Sequence, residues 1–258
     1  MEQVLLDQII ALRAQLHACA EVSGREVVTK HTLLTFLREH TSLELHELAG
    51  GFYAAHREPE GTKPTVALRA DYDALATPEG GAAHLCGHDG HAAALCGVAL
   101  MLEGQSIGHS VFLLFQGTEE TGAGAALCCE LFDREKVDEI YGAHNLPGFP
   151  FGAVLTRAQE LAHKNHLEFS FEEQDIFPAT ENDALYASRV MRVCRGTLLH
   201  DPMRWSEDFG HYLHRCRGAF FGVGAGEDHP QIHTEHYEYP DALLEPTVEA
   251  FRALLTSE

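Results

Sequence analysis

Hydrophobic residues recur at helical spacing near the start of the chain and form short continuous runs further along it. Residues 4–16 and 27–37 repeat apolar side chains at i, i+3 and i+4, which predicts two amphipathic helices. Residues 65–69 and 110–115 are short, apolar and β-prone, so they predict buried strands. Between them, the Ala- and Leu-rich residues 89–102 predict a helix with Asp89 as its cap.

The same alternation continues through the second half of the chain. The pattern predicts helices at 122–132, 183–193 and 207–216, strands at 139–143, 167–171 and 218–223, and a final helix with an apolar stripe formed by Leu243, Leu244, Val248, Phe251 and Leu255. Strands that alternate with helices favour right-handed crossovers and a mainly parallel sheet with helices on both faces. We therefore expect an α/β fold, a three-layer sandwich, in a single domain covering residues 1–258.

Composition and charge narrow the class of protein. The chain has 258 residues, of which 45% are hydrophobic, so it can build a sizeable core. Its formal net charge of -21 argues against binding to nucleic acid or to an anionic membrane, because both need clustered Lys and Arg. Acidic and basic residues interrupt residues 1–16, which is unlike a signal peptide. Seven cysteines, an odd number, argue against a disulfide framework and favour a cytoplasmic protein.

Polar residues follow three of the predicted strands. Asp71 and Asp73 come after the first strand, Glu119 and Glu120 after the second, and His144 after the third. In open α/β sheets, ligands bind beyond the carboxyl ends of the strands. These residues are therefore expected to converge on one site.

The residue types at this edge of the sheet suit a pair of divalent metal ions. Cys86 and His88 are separated by one residue, so their side chains can point to the same side of an extended segment. A thiolate, imidazoles and a carboxylate are donors for zinc, manganese, nickel or cobalt. The alternative is a buried Cys beside a histidine that caps a helix. His91, one turn into that helix, is expected to pack or to support a ligand.

Glu119 and Glu120 are adjacent carboxylates at the end of an apolar strand. Two buried like charges are costly without a cation, so one carboxylate is expected to bind metal while the other transfers protons. An exposed acidic turn at a helix start is the alternative. For His144 and His233 the alternatives are a core histidine and a histidine in a polar loop.

Taken together, these segments resemble the metal-dependent N-acyl-amino-acid amidohydrolases, the aminoacylase and carboxypeptidase family that contains hippurate hydrolases and plant auxin-conjugate hydrolases. The resemblance rests on seven segments: Leu-Arg-Ala-Asp-Tyr-Asp-Ala-Leu at 68–75, Leu-Cys-Gly-His-Asp-Gly-His at 85–91, Phe-Gln-Gly-Thr-Glu-Glu at 115–120, Gly-Ala-His-Asn-Leu-Pro at 142–147, Phe-Pro-Ala-Thr-Glu-Asn-Asp at 177–183, Trp-Ser-Glu-Asp-Phe-Gly at 205–210 and Ile-His-Thr-Glu-His-Tyr at 232–237. It implies a zinc-exopeptidase-like catalytic domain with two divalent metal ions.

The resemblance also implies a role for each matching residue. The implied metal ligands are Cys86, shared by both metals, His88, Glu120, His144 and His233. It makes Glu119 the general base and Asp71 an acid that orients a ligand or the base.

One family feature is missing from the sequence. Family members usually carry an inserted lid domain of roughly one hundred residues after the His-Asn segment, a length sufficient for a small domain. Only the short connection at 157–167 lies in that place. The lid dimer of the family is therefore not expected, and the oligomeric state stays open. The family lid also provides a histidine, and we hypothesise that His163 or His166 replaces it.

The sequence thus favours a two-metal amidohydrolase that acts on a small N-acyl amino acid or short peptide. A lidless metal aminopeptidase is one alternative. The other is a metal-binding regulatory protein that lost catalysis together with the lid.

Overall fold

The computed structural model describes residues 1–59, 61, 63–156, 178–199 and 205–257, with only the backbone described at 150–156. The predicted strand at 167–171 and the connection at 157–167, with His163 and His166, lie outside the described residues.

Eight α-helices and ten strands occur in the described parts of the chain. The helices are α1 (Gln3–Ala18), α2 (Val27–His40), α3 (His88–Leu102), α4 (Gly124–Cys128), α5 (Leu131–Arg134), α6 (Ala184–Val193), α7 (Gly210–Leu213) and α8 (Leu244–Thr256). The strands are β1 (Glu44–Leu48), β2 (Gly51–His56), β3 (Val66–Asp71), β4 (Leu75–Ala76), β5 (Ala82–Ala83), β6 (Val111–Gln116), β7 (Glu139–Pro147), β8 (Phe149–Thr156), β9 (Thr197–Leu199) and β10 (Arg217–Gly226).

The main sheet has eight strands in the order β1-β2-β6-β3-β7-β10-β8-β9. Its centre is parallel, since β3 pairs in parallel with both β6 and β7, and β10 pairs in parallel with β7. Antiparallel pairing joins β1 to β2, β2 to β6 and β8 to β10. The predicted α/β fold with a mainly parallel central sheet is therefore confirmed, and antiparallel strands flank its centre.

Helices cover both faces of this sheet. Alternate residues of β6 separate into two hydrophobic cores, with Leu113 and Phe115 on one side and Phe112 and Leu114 on the other. The first core packs against α1, α2, α3 and α8, and the second against α4, α5 and α7. The period of two along a strand thus produces the predicted three layers.

The structure differs from the predicted elements in two ways. Six strands have no predicted counterpart: β1, β2, β4, β5, β8 and β9. The helix predicted at 122–132 divides into α4 and α5, and the one predicted at 207–216 is helical only over Gly210–Leu213. Both helices were predicted across short turns. There, hydrogen bonds between side chains and the nearby backbone compete with a continuous helix. Among the described helices, none is both long and apolar enough to cross a membrane.

Candidate metal centre

A sharp turn brings Cys86 and His88 to the carboxyl edge of the sheet. Gly87, which lies between them and precedes α3, has φ +93°. A Cβ atom there would also lie 2.7 Å from the hydroxyl of Tyr237 and 2.8 Å from Oδ1 of Asn145. Only glycine accepts both the left-handed backbone and this close approach.

The structure brings the five predicted metal ligands together. Sγ of Cys86 lies 3.3 Å from Nε2 of His144 and 3.3 Å from Nε2 of His233. Nε2 of His88 lies 3.7 Å from Oε1 of Glu120. Two groups of possible donors share the cysteine, each with its donor atoms within 4.8 Å of one another: Cys86, His88 and His144 in one, and Cys86, Glu120 and His233 in the other. We call these five residues the donor cluster.

Two buried atoms of the donor cluster have no hydrogen-bond partner among the described residues. They are Nε2 of His88 and Oε1 of Glu120. Burying a polar atom without a partner costs free energy, so native proteins pair such atoms with protein, water or an ion. Because the two atoms face each other within a set of sulfur, nitrogen and oxygen donors, the site fits divalent cations such as zinc.

Two residues of the site have a left-handed backbone that is unusual outside glycine. His233 has φ +62°, and its backbone N–H donates to the carbonyl of Leu85 at 2.7 Å. Thr118, immediately before Glu119, has φ +63°, and its N–H donates to Glu26 at 2.9 Å. Such conformations persist where surrounding contacts hold them, and they concentrate at functional sites.

Asp73 orients two members of the donor cluster, a contact that the sequence analysis did not assign. Its Oδ1 lies 3.2 Å from Nδ1 of His88, and its Oδ2 accepts from the backbone N–H of Glu120 at 3.0 Å. Burial favours the neutral acid, but the hydrogen bond from His88 lowers the pKa of Asp73. A carboxylate behind the second nitrogen of a ligand histidine sets its ring orientation. In the sequence, Asp73 stood out only because it follows the first predicted strand together with Asp71.

Asp71 lies under the donor cluster. Its carboxylate contacts Nδ1 of His91 at 2.6 Å and accepts from Nη1 of Arg69 at 2.7 Å. Nε2 of His91 in turn accepts from the backbone N–H of Asn145 at 3.2 Å. Both ring nitrogens of His91 are thus engaged by protein groups, which agrees with a supporting role for this histidine.

Arg69 is a buried cation at the centre of a second polar group. Its guanidinium donates to Gln116 at 2.8 Å and to Asp208 at 3.1 Å, and lies 3.3 Å from Glu207. We call Arg69, Asp71, Gln116, Glu207 and Asp208 the arginine network. These residues lie in segments that carry the family resemblance, but their contact was not predicted, because Arg69 and Asp208 are far apart in the chain.

Glu119 lies between the donor cluster and the arginine network. Its carboxylate groups with His88 and Glu120 on one side and with Glu207 and Asp208 on the other, and only 9% of the residue is exposed. Burial, followed by the charge of Glu207, raises the pKa of Glu119 well above its ordinary value. Glu119 is therefore placed to exchange a proton next to the donor cluster.

The protein environment also changes the proton affinity of the other donors. Burial raises the pKa of Cys86 to about 12 and lowers that of His144 well below its ordinary value. For His88, burial opposes the charged ring, but Asp71 and Cys86 raise its pKa well above the ordinary value. Burial thus opposes charge on Cys86 and His144, whereas the neighbouring Asp71 favours charge on His88 by raising its pKa.

The predicted cap of α3 at Asp89 is wrong. The helix begins at His88 with Gly87 as its N-cap, and Asp89 lies inside the first turn. Its carboxylate accepts from the backbone N–H of Gly90 at 2.9 Å and also contacts Nη1 of Arg13 at 3.1 Å and Nδ1 of His17 at 2.9 Å, both on α1. Asp89 therefore joins α3 to α1 through charge-assisted hydrogen bonds.

The chain matches a known protein family. Residues 67–257 match the model of peptidase family M20/M25/M40. This chain is a member of that family. The match includes all five residues of the donor cluster together with Glu119, and it confirms the resemblance found in the sequence.

Curated relatives of this family member include deacetylases of N-acyl amino acids. It is 38% identical over 162 residues to N-acetyl-L-cysteine deacetylase of Bacillus subtilis (strain 168), covering 57% of this chain and 38% of the relative. It is 30% identical over 199 residues to N-acetyldiaminopimelate deacetylase of Lactococcus lactis subsp. cremoris (strain SK11), covering 70% and 53%. The chain thus spans about 40% of the length of several of these relatives.

Solved structures show the same fold. The Bacillus subtilis YXEP protein, a dinuclear metal-binding peptidase from the M20 family, has a TM-score of 0.78 at 20% identity, with 99% of this chain and 98% of that one covered. A putative aminohydrolase from methicillin-resistant Staphylococcus aureus has a TM-score of 0.80 at 18% identity, with 99% of each chain covered.

Proposed function

We propose that this chain is a two-metal amidohydrolase that cleaves the amide bond of an N-acyl amino acid or a small peptide-like substrate. The observation that carries the proposal is the pair of donor groups sharing Cys86, with the buried Glu119 beside them. The deacetylases among the relatives support an N-acyl amino acid as the substrate.

Each donor has a place in the proposed centre. Cys86 is shared, His88 and His144 complete one side, and Glu120 and His233 complete the other. These residues would hold two divalent cations, which would supply Lewis acidity towards an amide carbonyl and towards water. The preferred metal is identified by loading the protein with zinc, manganese, nickel or cobalt in turn and comparing the activities.

Glu119 is the proposed general base and acid. It lies beside His88 and Glu120, where it can accept a proton from the attacking water and donate it to the leaving nitrogen. Asp71 and Asp73 act through other residues: Asp71 holds His91 and lies near His88, and Asp73 orients His88. These contacts keep the ligand nitrogens aimed at the donor cluster.

We further propose a single catalytic domain without the family lid and without a lid-mediated dimer. A more open site encloses the substrate less and excludes less water, so turnover is expected to be slow. A cytoplasmic location and a small-molecule partner complete the proposal.

The test uses the full chain loaded with each of the four metals. N-acetylcysteine, N-acetyldiaminopimelate and a panel of acetylated amino acids are the substrates, and release of the free amine is measured. Glu119→Gln should lower kcat by about 10²–10⁴-fold, the usual contribution of a general base. Glu130→Gln is the matched control, because Glu130 lies on the surface and pairs with Arg134.

Other outcomes identify the alternatives. Cleavage of dipeptides with a free amino terminus, without cleavage of acylated substrates, would make the chain an aminopeptidase. Metal binding without hydrolysis across both panels would favour the regulatory protein.

A further inference from the structure

The segment at 205–208 lies beside the candidate metal centre and is anchored at Asp208. The carboxylate of Asp208 accepts from Nη2 of Arg69 at 3.1 Å, from Nε2 of Gln116 at 2.9 Å and from the backbone N–H of Ala125 at 2.9 Å. Glu207, one residue earlier, lies 3.3 Å from the same guanidinium. Because buried charged hydrogen bonds hold it on several sides, this segment has a defined position relative to the donor cluster.

Trp205 is the first residue of this segment and contacts a proposed metal ligand directly. Its ring centroid lies 4.5 Å from that of His144, with an angle of 82° between the rings. This edge-to-face arrangement is a favourable aromatic contact. Nε2 of His144 points towards Cys86, so the indole borders the donor cluster without occupying a ligand position.

The indole is also accessible, unlike the second apolar ring near His144. Phe220 lies 6.4 Å from His144 between ring centroids but exposes only 8% of its surface, whereas Trp205 is half-buried. The described groups near Glu119 include carboxylates, an imidazole and the Arg69 guanidinium. A partly exposed indole in such polar surroundings offers apolar surface to a bound molecule.

From this placement we infer that Trp205 is a specificity-determining residue that binds an apolar group of the substrate next to the scissile amide. The inference rests on the proposed function and deepens it. It predicts that substrates with apolar groups on the side of Trp205 are preferred over those with small or charged groups. The apolar group can belong to the acyl part or to the amino-acid side chain, and the two sources are separated by experiment.

The first experiment measures binding without catalysis. Acetohydroxamate, hexanohydroxamate and benzohydroxamate are metal-chelating probes that differ in apolar size, and their Kd values for the zinc-loaded full chain are measured by calorimetry. Each methylene that the indole covers should tighten binding roughly fourfold, from about 0.8 kcal/mol per buried methylene. In Trp205→Ala the ratio of Kd values between acetohydroxamate and hexanohydroxamate should fall towards one. Leu185→Ala, at an apolar residue that is 68% exposed, should keep the wild-type ratio.

A spectroscopic readout covers the case in which Trp205→Ala does not fold. Trp205 is the single tryptophan of the chain, so its emission reports on this position alone. Hexanohydroxamate should shift the emission of the wild-type protein to shorter wavelength, while acetohydroxamate should shift it less. Trp205→Phe should show an intermediate ratio of Kd values.

The second experiment identifies the source of the apolar group and separates the inference from the proposed function. One series varies the acyl chain on a fixed amino acid, and the other varies the amino acid under a fixed acetyl group. The series whose kcat/KM slope is flattened by Trp205→Ala contains the group that meets the indole. If the wild type hydrolyses neither series but discriminates among the hydroxamates through Trp205, the proposed function fails, and what remains of the inference is that Trp205 binds an apolar group of a molecule held at the donor cluster. An unchanged hydroxamate ratio in Trp205→Ala, or no emission shift in the wild type, overturns the inference. Failure of the zinc-loaded protein to bind any hydroxamate overturns both.

Discussion

Two neighbouring polar regions lie at the carboxyl edge of the sheet, and they differ in how completely their groups are paired. In the arginine network, Arg69 donates to Asp71, Gln116 and Asp208, and the side-chain amide of Gln116 donates to Asp208 as well. In the donor cluster, two buried atoms have no protein partner in the described part of the chain, Nε2 of His88 and Oε1 of Glu120.

This difference in pairing distinguishes groups that support the fold from groups suited to binding, although both sets are buried. Groups that are paired by protein stabilise the fold and position their neighbours, whereas the two unpaired atoms of the donor cluster lie among sulfur, nitrogen and oxygen donors suited to a cation. Glu119 lies at the boundary, with Glu207 on one side and His88 on the other. Its position joins a rigid support to the candidate metal centre.

The largest effect is expected in the arginine network. Arg69→Met leaves Asp71 and Asp208 buried without their cation, so the free energy of unfolding should fall by about 3–5 kcal/mol. Arg57→Met is the control, because Arg57 pairs with Glu135 but is 42% exposed, and it should cost about 0–1 kcal/mol. Urea denaturation of the metal-free protein measures both. Equal losses in the two variants would remove the proposed contrast between buried and exposed pairs.

Glu120, a member of the donor cluster, should show the opposite pattern, with a large effect on metal binding and a small effect on stability. Glu120→Gln should weaken zinc binding by about 100-fold or more, because it removes a charged donor. It should change the stability of the metal-free protein by less than about 1 kcal/mol, since Oε1 has no hydrogen bond to lose. Competition with a chelator gives the affinity, and Glu130→Gln serves as the surface control. A large loss of metal-free stability would place Glu120 with the arginine network instead.

Asp73 should show an intermediate effect on metal binding. Asp73→Asn weakens the contact that orients His88, so zinc affinity should fall by about 10–100-fold while all five proposed ligands remain. Calorimetry on this variant and on Asp133→Asn, an exposed aspartate with 66% of its side chain accessible, makes the comparison. Unchanged affinity in Asp73→Asn would show that the ligands alone set the geometry.

The smallest effect is expected at a fully paired carboxylate away from the site. Glu58 accepts hydrogen bonds from Ser106 and from the backbone N–H groups of Ile107 and Gly108, and contacts His56. Burial alone would raise its pKa, but these hydrogen bonds lower it to about 2 from an ordinary value of 4.5. Its contribution is therefore present above pH 4.5 and is lost as the pH falls towards 2.

Glu58→Gln tests this sign. The variant should be about 1–2 kcal/mol less stable than the wild type at pH 7, and the two stabilities should converge as the pH is lowered. Urea denaturation across this range measures the difference. A difference that grows in acid would contradict the lowered pKa.

The predictable parts of the fold were those with strong local patterns. The strands at the sheet centre carry continuous apolar runs, and the terminal helices carry apolar stripes, so hydrophobic periodicity was sufficient. The β1 and β2 hairpin was missed although its two-residue connection, Ala49 and Gly50, follows the spacing of a tight turn. Its first strand is mostly polar and partly exposed, which leaves little hydrophobic signal.

By itself, the sequence determined the family, the α/β class and the identity of the candidate donors, because residue chemistry and strand-end position are local properties. Tertiary structure alone decided which groups support them. Asp73 behind His88, Asp208 beside Arg69 and Trp205 against His144 depend on contacts between distant segments. Such pairings follow from how the layers pack, since hydrogen bonds and ring contacts act over a few ångströms in space regardless of separation along the chain.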